Sequence, residues 1–79
     1  MWWKFQKITD DGNKMLFLYS FESHKLDGKI EYDKENGKFN LLMPSEKGGT
    51  VGYLKLCSHL QYKIENESIP EGEHTIATG

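Results

Sequence analysis

The chain has 79 residues, with ten Lys and Arg against twelve Asp and Glu, and a formal net charge of −2. All ten basic residues are lysines, so the planar arginine fork that binds phosphates and guanine edges bidentately is missing and nucleic acid is an unlikely partner. A chain of this length supplies one small domain, expected over residues 1–79, with a modest hydrophobic core.

The chain contains one cysteine, Cys57. An intrachain disulfide is therefore impossible, which favours a reducing, cytoplasmic compartment. The opening "MWWKFQKITDD" has no apolar run of signal-peptide length, and "MLFLYSF" is far too short to cross a bilayer. We expect a cytoplasmic protein without membrane association, with Met1 as the start of a complete small chain.

Glycine-containing steps divide the first half of the chain into strand-like runs. "DDGN", "LDGK" and "ENGK" each carry an Asp-Gly or Asn-Gly pair, the strongest short-range hairpin signal. The predicted strands between them are Trp2–Ile8, Lys14–Glu22, Lys29–Asp33 and Lys38–Met43. Short connections between successive strands predict an antiparallel meander, and Pro44 ends its fourth strand.

The segment after Pro44 fits two periodicities. Alternation places Leu54, Leu56, Leu60, Tyr62 and Ile64 on one face. Helical spacing makes a stripe of Tyr53, Leu56, Cys57, Leu60 and Ile64 opposite Lys55, His59, Tyr62 and Asn66. The length of the segment and its many helix formers favour a helix from about Thr50 to Glu67, with Thr50 as N-cap. Residues 74–78 are a candidate fifth strand.

The predicted fold class is therefore α+β, a four-stranded antiparallel β-meander with an optional short fifth strand, packed on one C-terminal α-helix. The alternative is a small all-β barrel. In the meander, Phe39, Leu41 and Met43 alternate onto one side of the fourth strand.

The segment "MLFLYSF" is apolar on both faces, whereas one helix covers one face of a sheet. If Met15, Phe17, Tyr19 and Phe21 face the helix, Leu16 and Leu18 lie on the other side, near the first and fourth strands. Two interpretations stay open. Scattered exposed aliphatic residues are ordinary, whereas a contiguous patch marks an interaction surface. The residues of this candidate interaction face are Trp2, Leu16, Leu18 and Leu42, with Ile8 nearby.

Cys57 and His59 are the residues closest to a chemical motif. On a helix they point in different directions, whereas on a strand they would share a face and could join His24 or His74 in a metal site. Their spacing matches no zinc pattern, and a buried free cysteine is common as a small core residue. We predict no catalytic residue, no metal and no cofactor, and we expect His24 and His74 to be solvated.

The loop before the helix is a candidate anion site. Lys47, Gly48, Gly49 and Thr50 combine a cation with backbone amides at a helix start, although the lysine precedes the glycines and the loop is not a P-loop.

These features predict a non-enzymatic protein-interaction module, such as a small regulator, inhibitor or accessory protein. It would bind a protein partner or a second copy of itself through the exposed sheet face. The alternative is a small-ligand or phosphate-binding protein that uses Lys47–Thr50.

Overall fold

The computed structural model describes residues 1–78 and contains a five-stranded antiparallel sheet with one helix. The elements are β1 (Trp2–Asp10), β2 (Lys14–Phe21), β3 (Gly28–Asp33), β4 (Lys38–Met43), α1 (Gly49–Asn66) and β5 (Glu73–Ala77). The strand order is β4-β3-β2-β1-β5, an open sheet whose edges are β4 and β5. The α+β meander with a C-terminal helix and a fifth strand is confirmed, and the barrel alternative is wrong.

Two of the three predicted glycine turns are hairpin turns. Gly12 between β1 and β2 has φ of 90°, and Gly37 between β3 and β4 has φ of 70°, a left-handed conformation that glycine adopts without strain. The Asp11 carboxylate accepts the backbone amides of Asn13 and Lys14 at 2.9 and 2.8 Å. This side-chain bond fixes the first turn, as aspartate does in Asx turns.

The third predicted turn, "LDGK", is wrong. The loop between β2 and β3 spans residues 22–27, its left-handed residue is Glu22 with φ of 50°, and Gly28 is already in β3. Gly28 pairs with Tyr19, and a Cβ on Gly28 would lie only 2.2 Å from the Tyr19 ring. The glycine is therefore needed for close packing beneath an aromatic ring rather than for a turn.

The core lies between the sheet and α1. Met15, Phe17 and Tyr19 are buried on the helix side of β2, as predicted, and Phe21 is half-buried there. The other buried apolar residues of the core are Trp3, Phe5, Ile30, Tyr32, Leu56, Leu60, Ile69 and Ile76. Alternation along each strand sends every second side chain to this layer.

The helix occupies Gly49–Asn66, within one residue of the prediction at each end, but Thr50 is not its N-cap. The N-cap is Gly48, which has φ of 93° and makes no side-chain capping bond. A Cβ on Gly48 would lie 2.6 Å from the Phe21 ring. Only glycine therefore fits at this position, and the N-cap residue has no side chain that could cap the helix. One turn later, the Trp3 indole N–H donates to the Gly52 carbonyl at 2.9 Å and fixes the helix over β1.

Strand β4 contains an irregularity that the sequence did not predict. Leu41 pairs with Ile30, but the next pair is Met43 with Lys29, so Leu42 is an extra residue. Such a bulge changes which side chains face each side of the strand. Phe39 and Leu41 lie on the helix side, whereas Met43 lies in the same row as Leu18 on the opposite face. The predicted common face for Phe39, Leu41 and Met43 is therefore wrong at Met43.

Strand β5 completes the sheet beside β1. Its Ile76 side chain is buried, and the backbones of Met1 and Thr78 exchange two hydrogen bonds of 2.9 and 2.8 Å.

Within residues 1–78, α1 lacks the apolar length needed to span a membrane.

Candidate functional site

The face of the sheet opposite α1, the open face, carries Leu16 and Leu18 as predicted. Both side chains are half-buried. Leu18 lies between Gln6 of β1 and Lys29 of β3, and Leu16 lies between Thr9 and Glu31. The centre of the open face is therefore a mixture of aliphatic and polar side chains.

Trp2 shares the open face but lies at its end. Trp2 pairs with Ala77 of β5, and its ring centroid is 5.3 Å from that of His24. The row formed by Lys4 and Ser20 lies between Trp2 and Leu18, and the Lys4 ammonium is 3.4 Å from the Glu73 carboxylate. The structure thus brings Trp2 onto the same face as the leucines without joining it to them.

Leu18 and Leu42 meet at the β3–β4 end of the open face, in a depression of about 330 Å³. We call it the open-face depression, and its lining is Leu18, Leu26, Asp27, Gly28, Lys29, Leu42 and Met43. Leu42 and Met43 are 49% and 56% exposed. Sequence reasoning missed Leu26, which lies in a loop without periodicity, and Met43, which the bulge moves to this face.

Asp27 shapes one wall of the depression. Its carboxylate accepts the Ser45 hydroxyl at 2.7 Å and the Glu46 amide at 3.0 Å. The Ser45 hydroxyl bond is the main reason that the pKa of Asp27 lies below its ordinary value, because hydrogen bonds to a carboxylate favour its charged form. The Ser45 amide also donates to the Tyr19 hydroxyl at 3.0 Å. The Asp27 carboxylate and the Tyr19 hydroxyl therefore hold the chain after β4 against the residue before β3 and against β2.

The chemistry of the open-face depression suits an apolar group. Its walls are mainly aliphatic, with one carboxylate and one ammonium at the rim, and its lining contains no cysteine, serine or histidine that could act as nucleophile or base.

No family model, curated protein or solved structure compared with this chain matches the chain.

The predicted anion loop lies at the helix start. Gly48 is the N-cap residue and Gly49 is the first residue of α1. Lys47, Gly49 and Thr50 are exposed, and Gly48 packs against Phe21. The nearby Glu46 amide already donates to the Asp27 carboxylate. Two carboxylates, those of Asp27 and Glu46, border the loop and oppose an added anion.

The histidines and Cys57 are spread over the molecule. His59, predicted on the exposed side of α1, is half-buried with its ring centroid 5.4 Å from that of Trp3. His74, predicted to be solvated, is half-buried 5.6 Å from the Phe5 ring. Cys57 is half-buried, and this burial raises the pKa of its thiol. Among residues 1–78, no three His, Cys, Asp or Glu side chains are grouped to hold a metal.

A second apolar surface lies between β4 and α1, and the sequence did not predict it. This helix-edge groove has a volume of about 530 Å³ and is lined by Phe39, Leu54, Cys57, Ser58, Gln61, Tyr62 and Glu65. Leu41 is exposed beside it on the helix side of β4. The start of α1 contacts Trp3 of β1 and Phe21 of β2, whereas β4 is exposed at every residue except Phe39, so the helix side of β4 is partly uncovered.

Proposed function

We propose that this chain is a non-enzymatic protein-interaction module that binds an apolar side chain of a partner protein in the open-face depression. The observation that supports this function is the exposure of Leu42 and Met43 beside the half-buried Leu18 and Leu26. Four adjacent aliphatic side chains around a concavity give an apolar anchor a defined place to bind.

The size of the depression favours a weak, reversible complex. At roughly 25 cal/mol per Å², covering the exposed parts of Leu42 and Met43, about 200 Å² together, contributes about 5 kcal/mol. The loss of translational and rotational freedom on association offsets a similar amount. Contacts of the partner with Asp27 and Lys29 at the rim would therefore decide specificity, as charged rims do in other interfaces.

A small regulator, inhibitor or accessory protein of the cytoplasm is the class that we propose. A weak, non-catalytic interaction surface on a short chain suits such a role, and a single half-buried cysteine suits a reducing compartment.

The test compares three forms of the protein as bait in an affinity capture: the wild type, Leu42→Lys and Val51→Lys. Val51 is 60% exposed at the start of α1, away from the depression, so Val51→Lys controls for an added surface lysine. We expect the wild type and Val51→Lys to retain the same partner protein and Leu42→Lys to lose it, with closely similar unfolding midpoints for all three. Equal capture by Leu42→Lys would contradict the proposal.

The alternative function, phosphate binding at Lys47–Thr50, has no observation in its favour beyond the helix start itself. A phosphate titration followed by the amide chemical shifts of Gly48, Gly49 and Thr50 tests it directly. Shift changes confined to these amides that saturate at millimolar phosphate would support it.

A further inference from the structure

The two edges of the sheet differ in chemistry. The exposed side chains of β5 are Glu73, Thr75 and Ala77, which are polar or small. Strand β4 is exposed along almost its whole length and reads "KFNLLM". Its outer side has no strand neighbour among residues 1–78, so part of its backbone N–H and C=O groups face outward, ready to pair with another strand.

We infer that two copies of this chain associate through antiparallel pairing of their β4 strands, around a twofold axis at Asn40. Residues paired across two strands must lie on the same face of the sheet. A register centred on Asn40 meets this condition, because it places Phe39 of each copy opposite Leu41 of the other on the helix side. The three residues Phe39–Leu41, which precede the bulge at Leu42, form the regular part of this ladder.

The symmetry of this pairing extends the contact beyond the strands. A twofold axis perpendicular to the sheet keeps α1 of both copies on the same side. The two helix-edge grooves then face each other across Phe39 and Leu41 of both strands, with Leu54 and Tyr62 on the groove walls.

Charge also favours a second copy as the occupant. Lys38 makes no ion pair among residues 1–78, and antiparallel pairing brings it to the far end of the other copy's β4. That end carries the carboxylates of Asp27 and Glu46. The net charge of −2 adds little repulsion between copies.

The exposed area suits a modest dimer. Leu41, Leu54 and Tyr62, which lie on the helix side, are between 39% and 62% exposed. At roughly 200 Å² for a fully exposed side chain of this size, they offer about 300 Å² per copy, before Phe39 and the strand backbone are counted. A standard interface buries about 800 Å² per partner, and smaller values are typical of weaker complexes. The bulge after Leu41 and Pro44 beyond the strand keep the ladder short, as such devices do at natural sheet edges.

Sedimentation equilibrium over a range of concentrations tests the association. We expect the wild type to approach twice its 9.2 kDa mass and Leu41→Lys to weaken dimerisation at least tenfold. Ile8→Lys is the matched control, because Ile8 is 40% exposed against 39% for Leu41 but lies on β1. A wild type that is monomeric at about 1 mM, or equal weakening by both lysine variants, would overturn the inference.

Cysteine cross-linking tests the register and does not depend on the folding of Leu41→Lys. In a Cys57→Ser background, Asn40→Cys places two thiols across the axis at about 5 Å between Cα atoms, within disulfide range. Lys38→Cys places its thiols about 13 Å apart along the strands, out of range. We expect mild oxidation to link the Asn40→Cys chains at least tenfold faster than the Lys38→Cys chains. Equal rates, or no cross-link at either position, would overturn the register and with it the proposed pairing.

The two proposals can fail separately. The open-face depression is also lined by Leu26, which lies off the β4 edge, whereas the β4 pairing depends on Phe39, Leu41 and the strand edge. In this register Leu42 lies opposite Lys38 of the other copy, so Leu26→Lys is the variant that separates the two proposals. Loss of a partner in Leu26→Lys with an unchanged mass, or the reverse in Leu41→Lys, shows which surface acts.

Discussion

At the scale of single residues, Gly28 packs so closely beneath the Tyr19 ring that a Cβ at this position would lie 2.2 Å from it. An Asp-Gly pair between two strand-like runs predicts a hairpin turn. Here the glycine instead leaves room for an aromatic ring on the neighbouring strand, and the aspartate bonds to the segment after β4. Neither role is visible without the pairing of β2 with β3, because both depend on residues distant in the sequence.

Gly28→Ala should therefore destabilise the protein by about 1–3 kcal/mol, the usual cost of overpacking a fixed core site. The Tyr19 ring cannot move freely, since it is buried and its hydroxyl accepts the Ser45 amide. Urea unfolding of the wild type and the variant measures the cost. In a Tyr19→Leu background the same alanine should cost clearly less. Equal costs in the two backgrounds would show that the ring is not the obstacle.

The Asp27 carboxylate predicts a pH dependence whose sign follows from its depressed pKa. A carboxyl group with a lower pKa in the folded state contributes stability above its unfolded pKa, near 3.9, and loses it as the pH falls through the folded pKa. Asp27→Asn should cost about 1 kcal/mol at pH 7, after allowance for its partial exposure. The stability difference between wild type and variant should shrink below about pH 4. A difference that is unchanged at pH 2.5 would rule out the ionised carboxylate as its source.

At the scale of elements, alternation and turn signals predicted the first four strands, whereas length and composition, not periodicity, decided for the helix, and residues 74–78 were only an optional fifth strand. The alternation in "KMLFLYSF" correctly separated the buried Phe17 from the half-buried Leu16. The bulge in β4 was beyond prediction, because an extra residue leaves the apolar pattern of "FNLLM" intact while moving Met43 to the other face. The helix N-cap was also predicted wrongly, because the close contact of Gly48 with the Phe21 ring depends on the packing of α1 on β2.

The two faces of β2 should respond differently to truncation. Phe17 is fully buried, so Phe17→Ala should cost about 3–5 kcal/mol, most of the stability of so small a domain. Leu16 is only half-buried among polar neighbours, so Leu16→Ala should cost about 1–2 kcal/mol. Denaturant melts of both variants at one protein concentration provide the comparison. Comparable losses would mean that another surface covers Leu16 in solution.

At the scale of the whole molecule, the chain closes by returning to its own first strand. Strand β4 ends at one edge, α1 crosses the face of the sheet, and β5 pairs with β1 at the other edge. The sequence predicted a fifth strand but not its position, because the short segment "HTIAT" carries no information about its neighbour. The candidate interaction face was likewise predicted in part, since Leu18 and Leu42 meet but Trp2 lies apart.

We expect this closure to join the two ends of the chain in one cooperative unit. Ile76 is buried with the core although it belongs to a five-residue edge strand, and its neighbour Thr75 is exposed on the other face. Ile76→Ala should cost about 2–4 kcal/mol, whereas Thr75→Ala should stay within about 0.5 kcal/mol. Since such a domain has only about 5 kcal/mol in total, Ile76→Ala should shift the whole unfolding transition rather than release β5 alone. Far-ultraviolet circular dichroism and tryptophan fluorescence should then report one coincident transition. Two separated transitions, or equal costs for the two alanine variants, would mean that β5 docks independently of the core.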